Sequence, residues 1–363
     1  MSKKNVILLY GGNSTEHEIS IRSARNIAKA TNTSLFNMIP LGIAKNGTWY
    51  LKTLEELNNE EIVLKNDIPL ALIPGNGEQK IINIKTQESI GKVDIAFPIV
   101  HGTNGEDGTL QGLLKKLNIP FVGPGVIGSA LCIDKDVAKR LMNEADIPNA
   151  PFLSFHKSER NQITFEKVVN NIDLPMYIKP PNLGSSVGIS KVNSKREFDT
   201  AVDHAFLFDQ KIIIEKNIEG REIECAFLGN TNPEASLVGE VVTINENHDF
   251  YSYEAKYIDA NGSKTVIPAD LSEDLQNRIQ TIALKTYKTL CCQGMARVDV
   301  FVTPDDKILV NEVNTLPGFT DISMYPKLWE TSGIDYTELI SKLLVFALER
   351  YDNENENLTQ MNL

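Results

Sequence analysis

Two alternating segments and the turn between them decide the fold: Arg297–Val302 (RVDVFV), residues 304–307 (PDDK) and Ile308–Asn314 (ILVNEVN). Apolar and polar residues alternate on both sides of the turn, which predicts a β-hairpin. The antiparallel register set by this turn pairs Asp299 with Glu312 and Arg297 with Asn314, and the two-residue period of a strand places all four on one face. Carboxylate and amide oxygens suit a hard cation such as Mg²⁺, which commonly shares its coordination shell with substrate phosphates. The hairpin therefore predicts a site for a metal-bound nucleotide; the alternative is a surface hairpin whose polar residues face solvent.

Size and charge limit the class of protein. At 363 residues, of which 42% are hydrophobic, the chain exceeds what one hydrophobic core usually organises, so we expect two or three domains. The formal net charge of -12 and a pI near 5.0 argue against nucleic acid or an anionic membrane as a partner, because both select for basic surfaces. Small anionic ligands remain compatible with the sequence, since local lysines can bind them.

The cysteines and the N-terminal residues indicate the compartment. Cys132, Cys225, Cys291 and Cys292 show no CxxC spacing and no companion histidines, so neither a zinc site nor a disulfide framework is predicted, and we expect buried thiols. The apolar run at residues 5–10 is too short for the apolar region of a signal peptide, and no later segment approaches a membrane span. The sequence therefore predicts a protein of the reducing cytoplasm.

The first third of the chain predicts a parallel α/β domain. A strand at Val6–Tyr10, a Gly-Gly-Asn-Ser turn and a helix from about Glu18 to Ala30 open a βαβ unit. Strands at Asn37–Ile43 and Val93–Val100 flank a polar stretch at residues 45–92, for which we predict short strands and turns in a peripheral position.

Two further units follow the Gly-Pro-Gly sequence at residues 123–125. A helix at Ser129–Ala145 and a strand at Met176–Lys179 belong to the second unit, and the hairpin and a long helix at Tyr336–Tyr351 belong to the third. The predicted boundaries are 1–123, 124–214 and 215–351, with a polar, frayed tail at 352–363.

Two polar loops at strand ends are candidate ligand sites. Residues 101–108 (HGTNGEDG) follow an apolar strand and precede a helix, which is where α/β folds bind ligands. The alternative is a glycine-rich turn in which Asp107 accepts backbone N–H bonds. Residues 11–18 (GGNSTEHE) lie between the first strand and helix, where backbone amides could bind an anion and an acidic side chain could bind an ammonium group. The alternative there is a capping box, with Thr15 as the N-cap and Glu18 reaching back to its N–H.

Three more segments are candidates for phosphate and oxyanion binding. Residues 179–188 (KPPNLGSSVG) pair a lysine at a strand end with a hydroxyl-rich loop, which suits a phosphate. The Gly-Lys-Ser/Thr order of a Walker A motif is absent, and a simple exposed turn is the alternative. Residues 312–319 (EVNTLPGF) end in a turn whose Gly318 amide could bind a developing oxyanion beside Arg297, or could be structural only. Residues 250–257 (FYSYEAKY) predict a mobile loop or, alternatively, an aromatic core strand.

Six strings occur along the chain in a fixed order: GGNSTEHEIS (11–20), HGTNGEDGTLQG (101–112), GSSVGISKV (184–192), FYSYEAKY (250–257), GMARVDVF (294–301) and NEVNTLPGFT (311–320). In order and approximate spacing they resemble the D-alanine–D-alanine ligase family of ATP-grasp enzymes, and the resemblance runs from the first strand to about Tyr351. It implies an α/β fold of three domains. These would be an N-terminal parallel, Rossmann-like α/β domain that binds the first D-alanine, and two ATP-grasp α+β subdomains that hold the nucleotide between them.

The resemblance also implies roles for individual residues, carried over by motif. The catalytic set is Glu16, which orients the first D-alanine, Ser185 and Tyr257, which are bonded to it across a closed loop, and the oxyanion donors Arg297 and Gly318. Substrate binding is implied for His101, Ser323 and Met324. ATP binding is implied for Lys135, Lys179, Glu215, Lys216, Ile218, Glu222, Phe250, Lys256 and Asn311, and magnesium binding for Asp299, Glu312 and Asn314.

The implied activity is that of an ATP-dependent carboxylate–amine ligase. Two D-alanine molecules would be joined through a D-alanyl phosphate, giving ADP, phosphate and D-alanyl-D-alanine for peptidoglycan precursor synthesis. ATP would be the cosubstrate, with two Mg²⁺ ions or Mn²⁺ in their place, and the resemblance implies a homodimer. The acidic charge predicts no nucleic-acid or membrane partner.

Two alternatives remain for the activity. The first is a D-alanine–D-serine ligase, with D-lactate the weaker candidate because Tyr257 is present in the EAKY string; Met324 lacks the basic group of some D-serine relatives. The second is a nucleotide-binding regulator without turnover, against which the intact metal, phosphate and oxyanion candidates argue.

Overall fold

The computed structural model describes residues 3–58, 68–74, 80–184, 186–243 and 263–359. Strands β1 to β16 within these ranges are Lys4–Gly11, Phe36–Ile43, Trp49–Leu51, Ile68–Ile73, Lys80–Asn83, Ser89–Lys92, Ile95–Pro98, Phe152–His156, Met176–Lys179, Ser190–Val192, Lys211–Lys216, Arg221–Gly229, Glu234–Thr243, Ser263–Val266, Gly294–Val302 and Ile308–Asn314. Helices α1 to α10 are His17–Ala30, Leu54–Asn58, Thr109–Lys116, Val126–Ile133, Lys135–Glu144, Phe165–Val169, Lys195–Ala205, Glu273–Thr289, Met324–Thr331 and Tyr336–Thr359, and a 3₁₀ helix spans Lys157–Gln162.

The N-terminal sheet has the strand order β6-β5-β4-β3-β2-β1-β7. The central strand β1 pairs in parallel with β2 and β7, whereas the strands from β2 to β6 pair in antiparallel fashion. Residues 6–11 are buried throughout, as expected of a parallel strand that is covered on both faces. The predicted α/β opening is confirmed. The described parts of the polar stretch, residues 45–58, 68–74 and 80–92, supply the antiparallel strands β3 to β6, with β6 at the edge of the sheet.

Two smaller sheets follow in the chain. One has the order β10-β9-β11-β8 and the other the order β14-β13-β12-β15-β16. Helices α6 and α7 supply Val168, Phe198 and Val202 to the core of the four-stranded sheet. Helix α8 packs on the five-stranded sheet together with Cys132 and Met142, from α4 and α5. The predicted α/β class is therefore confirmed, while the division at residues 123, 214 and 351 stays a prediction.

The first strand and the last helix share one hydrophobic core. Leu8 of β1 and Ile27 of α1 belong to the same buried cluster as Ile340 and Leu344 of α10. Further along α10, the buried Arg350 donates through Nη2 to the Phe121 carbonyl at 2.7 Å and through Nη1 to the Gly123 carbonyl, and its guanidinium lies 4.3 Å from the Phe121 ring centroid. Burial lowers the pKa of Arg350 to about 10. Arg350 of the last helix thus binds the backbone at the junction between the first and second predicted units.

Two helix predictions need correction. The single helix predicted at Ser129–Ala145 is two helices, because the Asp134 carboxylate accepts bonds from the N–H groups of Asp136 and Val137 and caps a new helix. The last helix does not end at Tyr351 but continues to Thr359. An ion pair of 3.0 Å between Lys115 and Glu354 joins this extension to α3, so residues 352–359 are helical rather than frayed.

One local alternative and one local prediction are also wrong. Thr15 does not cap the first helix, which begins at His17 after Glu16 without a side-chain cap bond. Glu18 instead pairs with Lys45 at 2.8 Å. Among the cysteines Cys132, Cys225 and Cys292 are buried as expected, but Cys291 is exposed because it lies in the turn after α8, where its φ is +56°. No helix in the described part of the chain is long and apolar enough to cross a membrane.

Candidate active site

The hairpin formed by β15 and β16 has the predicted register. Asp299 pairs with Glu312 and Arg297 with Asn314. The ladder then shifts, since Val300 pairs with Val310 and leaves Asn311 as an extra residue, a β-bulge. The bulge breaks the alternation, so that the consecutive residues Asn311 and Glu312 both line a cavity beside the sheet.

This cavity lies between the four-stranded and five-stranded sheets and has a volume of about 640 Å³. That size is typical of a small-molecule site. The cavity brings together nine of the predicted site residues: Lys135, Lys179, Glu215, Lys216, Ile218, Glu222, Asp299, Asn311 and Glu312. The Gly-Ser-Ser loop also reaches it through Leu183, Gly184 and Ser186.

A buried carboxylate fixes two lysines at the cavity wall. Glu215 pairs with Lys139 at 2.6 Å and with Lys179. Burial alone would raise the pKa of Glu215, but the two ammonium groups lower it to about 2. Burial, together with the charges of Lys179 and Lys135, lowers the pKa of Lys139, although Glu215 opposes this effect. Because the Glu215 side chain holds the lysines, its backbone is the part that would remain to bind ATP.

Two more cations meet the predicted metal ligands. Arg297 donates to both Asp299 oxygens at 2.7 Å, and its Nε lies 2.8 Å from Oε2 of Glu224. Lys135 Nζ lies 3.3 Å from Glu312 Oε2 and donates to the Leu183 carbonyl at 3.1 Å. Burial disfavours the charge of Arg297, but Asp299 and Glu224 raise its pKa well above the ordinary value. Arg297 and Lys135 therefore neutralise the carboxylates of Asp299 and Glu312.

The residues present fit a hard cation. Asn314 Oδ1 is buried and accepts no hydrogen bond from the residues that the structure describes, and it lies on the same hairpin face as Asp299 and Glu312. Within the described ranges no group of three or more His, Cys, Asp or Glu side chains could hold a metal ion. A cation here would therefore use the Asn314 amide oxygen, and ligand phosphates would complete its shell.

The N-terminal loops approach the Gly-Ser-Ser loop, which lines the cavity through Gly184. A β-carbon built on Gly102 would lie 3.1 Å from Glu16 Oε2, and one built on Gly184 would lie 3.7 Å from the same atom. The loop at residues 101–108 also has the alternative turn structure considered above, because Asp107 accepts bonds from the N–H groups of Asn104 and Thr109. Glu16 thus sits between that loop and the Gly-Ser-Ser loop.

His101 is buried in a polar network that links the first and last parts of the chain. Its Nε2 lies 3.3 Å from Ser23 Oγ, and the same hydroxyl accepts a bond of 3.1 Å from the Phe319 N–H. Burial would lower the pKa of His101, but a hydrogen bond and the charge of Glu106, together with the charge of Glu16, raise it. Phe319 follows Gly318, so this network anchors the turn predicted to bind the oxyanion.

The turn itself is closed by Ser323. Its Oγ accepts a bond of 2.9 Å from the Thr320 N–H and lies 2.7 Å from Thr320 Oγ1. A β-carbon built on Gly318 would lie only 2.7 Å from Ser323 Oγ, so the glycine allows this close approach. The Met324 side chain belongs to the hydrophobic core, and its backbone N–H, at the start of α9, is the part available to a carboxylate.

Sequence reasoning missed two site residues. Lys139 lies one helical turn beyond Lys135, and Glu224 lies two residues beyond Glu222 on β12, so helix and strand periodicity could have identified both. Four predicted residues lie outside the described ranges, namely Ser185, Phe250, Lys256 and Tyr257.

Comparison with known proteins gives consistent results. Residues 5–124 match the family model for the D-ala D-ala ligase N-terminus, and residues 141–345 match the model for the D-ala D-ala ligase C-terminus. The chain is 48% identical to D-alanine–D-alanine ligase A of Escherichia coli K12 over 367 residues, which covers 99% of this chain and 100% of that protein. It is 47% identical to the D-alanine–D-alanine ligase of Shouchella clausii, covering 98% of each protein.

Solved structures are similar over nearly the whole chain. The D-alanine–D-alanine ligase of Coxiella burnetii is 36% identical with a TM-score of 0.87, covering 100% of this chain and 99% of that one. The VanG D-Ala:D-Ser ligase of Enterococcus faecalis is 37% identical with a TM-score of 0.85, covering 95% of this chain and 100% of that one.

Proposed function

The chain belongs to the D-alanine–D-alanine ligase family, and from that premise we propose which of its residues bind ATP, bind D-alanine and stabilise the charges of the reaction. It is an ATP-dependent ligase with the ATP-grasp fold, and it joins two D-alanine molecules through a D-alanyl phosphate for peptidoglycan precursor synthesis. One observation supports the assignment of residues most strongly. The hairpin pairs Asp299 with Glu312 beside a cavity that also holds Lys135 and Lys179.

The cavity would bind ATP. Lys135 and Lys179 would contact the phosphates, the backbone of residues 215–218 the adenine, and Glu222 the ribose. The buried pairing of Lys179 with Glu215 supports this role, because it holds the ammonium group in place before the nucleotide arrives. Lys139, on the other side of Glu215, would stabilise that carboxylate without contacting ATP.

Asp299, Glu312 and Asn314 would hold magnesium. The buried Oδ1 of Asn314 supports this assignment, as does the shared hairpin face. When bound, Mg²⁺ would screen the charge of the triphosphate and of the phosphoryl group in transfer. Arg297 and Lys135 now contact Asp299 and Glu312, so both would have to exchange partners when the nucleotide and metal bind.

The reaction would proceed in two steps. The carboxylate of the first D-alanine attacks the γ-phosphate of ATP and forms D-alanyl phosphate with release of ADP. The amine of the second D-alanine then attacks the acyl carbon, and phosphate leaves. Arg297 and the Gly318 N–H would donate to the oxyanion of the tetrahedral intermediate, and loss of one such donor typically costs about 3 to 4 kcal/mol in the barrier.

The substrates would lie between the N-terminal loops and the turn at residues 318–323. Glu16 would orient the first D-alanine, with His101 beside its amino group; the approach of Glu16 to Gly184 supports this placement. Ser323 and the Met324 N–H would bind the carboxylate of the second D-alanine. Ser185 and Tyr257 would close over the first substrate, and Phe250 and Lys256 over ATP; these four roles come from sequence alone.

Assembly and compartment complete the proposal. We propose a homodimer, which the exposed side chains of Leu113 on α3 and Ile127 on the neighbouring α4 support, and light scattering of the purified protein tests it. We also propose that the protein acts in the reducing cytoplasm, because its four cysteines are free thiols.

The activity is tested by product analysis. The purified protein is given ATP and Mg²⁺ with D-alanine alone, and then with D-alanine plus D-serine or D-lactate, and the products are identified by mass. We expect phosphate release that depends on D-alanine and a product with the mass of D-alanyl-D-alanine. Binding of ATP without phosphate release would instead indicate a regulator, and a mixed product would indicate the other ligase specificities.

A further inference from the structure

Glu224 lies at the centre of the candidate site, beside the residues assigned to the metal and the oxyanion. Its strand β12 runs beside β15, and the register places Glu224 directly opposite Asp299. The residue is buried, with 7% of its surface exposed, and it lines the cavity. A carboxylate is rarely buried unless it has a partner of opposite charge, so its position needs an explanation.

Its partner is the proposed oxyanion donor. Arg297 Nε lies 2.8 Å from Glu224 Oε2, while Nε and Nη2 both donate to Asp299 at 2.7 Å. One guanidinium is thus shared by two carboxylates in a buried site. Asp299 is also one of the proposed metal ligands, so Arg297 and the magnesium ion compete for the same carboxylate.

We propose that Glu224 is a positioning residue, which retains Arg297 when Asp299 turns to the metal. This inference rests on the proposed function, because it takes Asp299 as a ligand and Arg297 as the oxyanion donor. A cation on Asp299 displaces the guanidinium, and a displaced, buried guanidinium without an anion is unfavourable. Glu224 supplies that anion on the neighbouring strand, so Arg297 changes partners without leaving the site.

The same contact serves the second chemical step. A guanidinium has five N–H donors in a fixed planar fork. A single carboxylate engages only part of that fork, so the remaining N–H groups stay available for the oxyanion. Without Glu224, Arg297 would stay on Asp299, where it competes with the metal.

Nucleotide binding tests the idea independently of the ligation reaction. In Glu224→Gln the amide keeps the shape of the side chain but removes its charge. Calorimetry measures ADP binding first in EDTA and then at increasing Mg²⁺. We expect the ADP affinity of the variant in EDTA to stay within about twofold of the wild type. The Mg²⁺ concentration that gives half of the maximal increase in ADP affinity should rise on the order of tenfold, a typical coupling between two sites.

Glu222→Gln is the matched control. It removes the same charge from the same face of β12, two residues away in the same cavity. Because Glu222 is assigned to the ribose, this variant should change ADP affinity to the same extent with and without Mg²⁺. A Mg²⁺ requirement of Glu224→Gln within about twofold of the wild type, or a change that Glu222→Gln reproduces, overturns the proposal.

Kinetics provide a second readout. We expect Glu224→Gln to lower kcat on the order of a hundredfold, with KM for ATP within about threefold, because the lost positioning matters mainly in the transition state. A rise in KM for ATP of similar size, with kcat unchanged, contradicts this. If Glu224→Gln does not fold, Glu224→Asp decides: its carboxylate is withdrawn by one methylene, so its Mg²⁺ requirement should rise, and an unchanged requirement overturns the proposal. Since ADP binding needs no D-alanine, failure of wild-type dipeptide formation remains a separate result.

Discussion

Replacing Glu215 with Gln should destabilise the protein by an amount that the structure allows us to work out. The carboxylate is buried and holds Lys139 at 2.6 Å together with Lys179. Its pKa falls from 4.5 to about 2, which corresponds to about 3 kcal/mol of stabilisation at neutral pH. Gln keeps the shape but leaves two buried ammonium groups without their anion, a change that typically costs about 3 to 5 kcal/mol. We therefore expect Glu215→Gln to lower the free energy of unfolding by about 3 kcal/mol at pH 7.

The pH dependence of this loss has a defined sign. Because the pKa of Glu215 is depressed in the folded state, its contribution is fully present above the ordinary pKa of 4.5 and is lost as the pH falls towards 2. Each pH unit below the ordinary value removes about 1.4 kcal/mol. The difference between wild type and variant should therefore be about 1.4 kcal/mol smaller at a pH of about 3.5 than at neutral pH.

Urea denaturation followed by tryptophan fluorescence, to which the buried Trp329 contributes, measures both effects. Glu354→Gln is the control, because its ion pair with Lys115 is exposed and such pairs contribute less than about 1 kcal/mol. A loss for Glu215→Gln below about 1 kcal/mol, or a loss that does not change between the two pH values, would refute the assignment of a buried, ionised carboxylate.

Three further variants test other parts of the site. Asn314→Ala removes the buried amide oxygen, so ADP binding should need about tenfold more Mg²⁺ while its affinity in EDTA stays the same; an unchanged Mg²⁺ titration counts against a ligand role. Gly318→Ala brings a β-carbon within 2.7 Å of Ser323 Oγ and should raise KM for D-alanine severalfold, about 1 kcal/mol in binding. KM for ATP should rise less, so equal changes of the two KM values in steady-state kinetics contradict the idea. Glu106→Gln removes the interaction that raises the pKa of His101, so an NMR titration should find a lower pKa. A raised pKa of His101 in the folded state stabilises the folded protein below the ordinary value of 6.5, and this stabilisation is lost as the pH rises. The variant should therefore lose more stability at acidic pH than at alkaline pH. A loss that does not depend on pH excludes the pairing of Glu106 with His101.

The hairpin was predictable because its information is local. Alternation within β15 and β16, with a short turn between them, sets the register, and the structure has the predicted pairs of Arg297 and Asp299 with their partners on β16. The bulge at Asn311 was not predictable in this way, since a two-residue period assumes a regular ladder. Asp134 is a residue type that favours a helix N-cap, so the end of one helix and the start of the next could have been predicted there. The apolar spacing on both sides of Asp134 instead favoured a continuous helix.

The charge pairs of the site depend on tertiary structure. Glu224 and Arg297 lie on strands that are distant in sequence and become neighbours only through the pairing of β12 with β15. Similarly, Glu215 gathers lysines from α5 and β9. Strand and helix periodicity predicts which side chains share a face. To predict which charges pair, one must also know the order of the strands in the sheet.

The shared core of β1 and α10 has a consequence for how the protein is made. During synthesis the first strand leaves the ribosome long before the last helix exists, so Leu8 and Ile27 lack the cover that Ile340 and Leu344 later provide. The nascent chain therefore carries an apolar surface near its beginning until translation is almost complete. A premature stop codon before Tyr336 would consequently leave that surface uncovered, and the truncated product should be a substrate for chaperones and proteases rather than a shorter working enzyme.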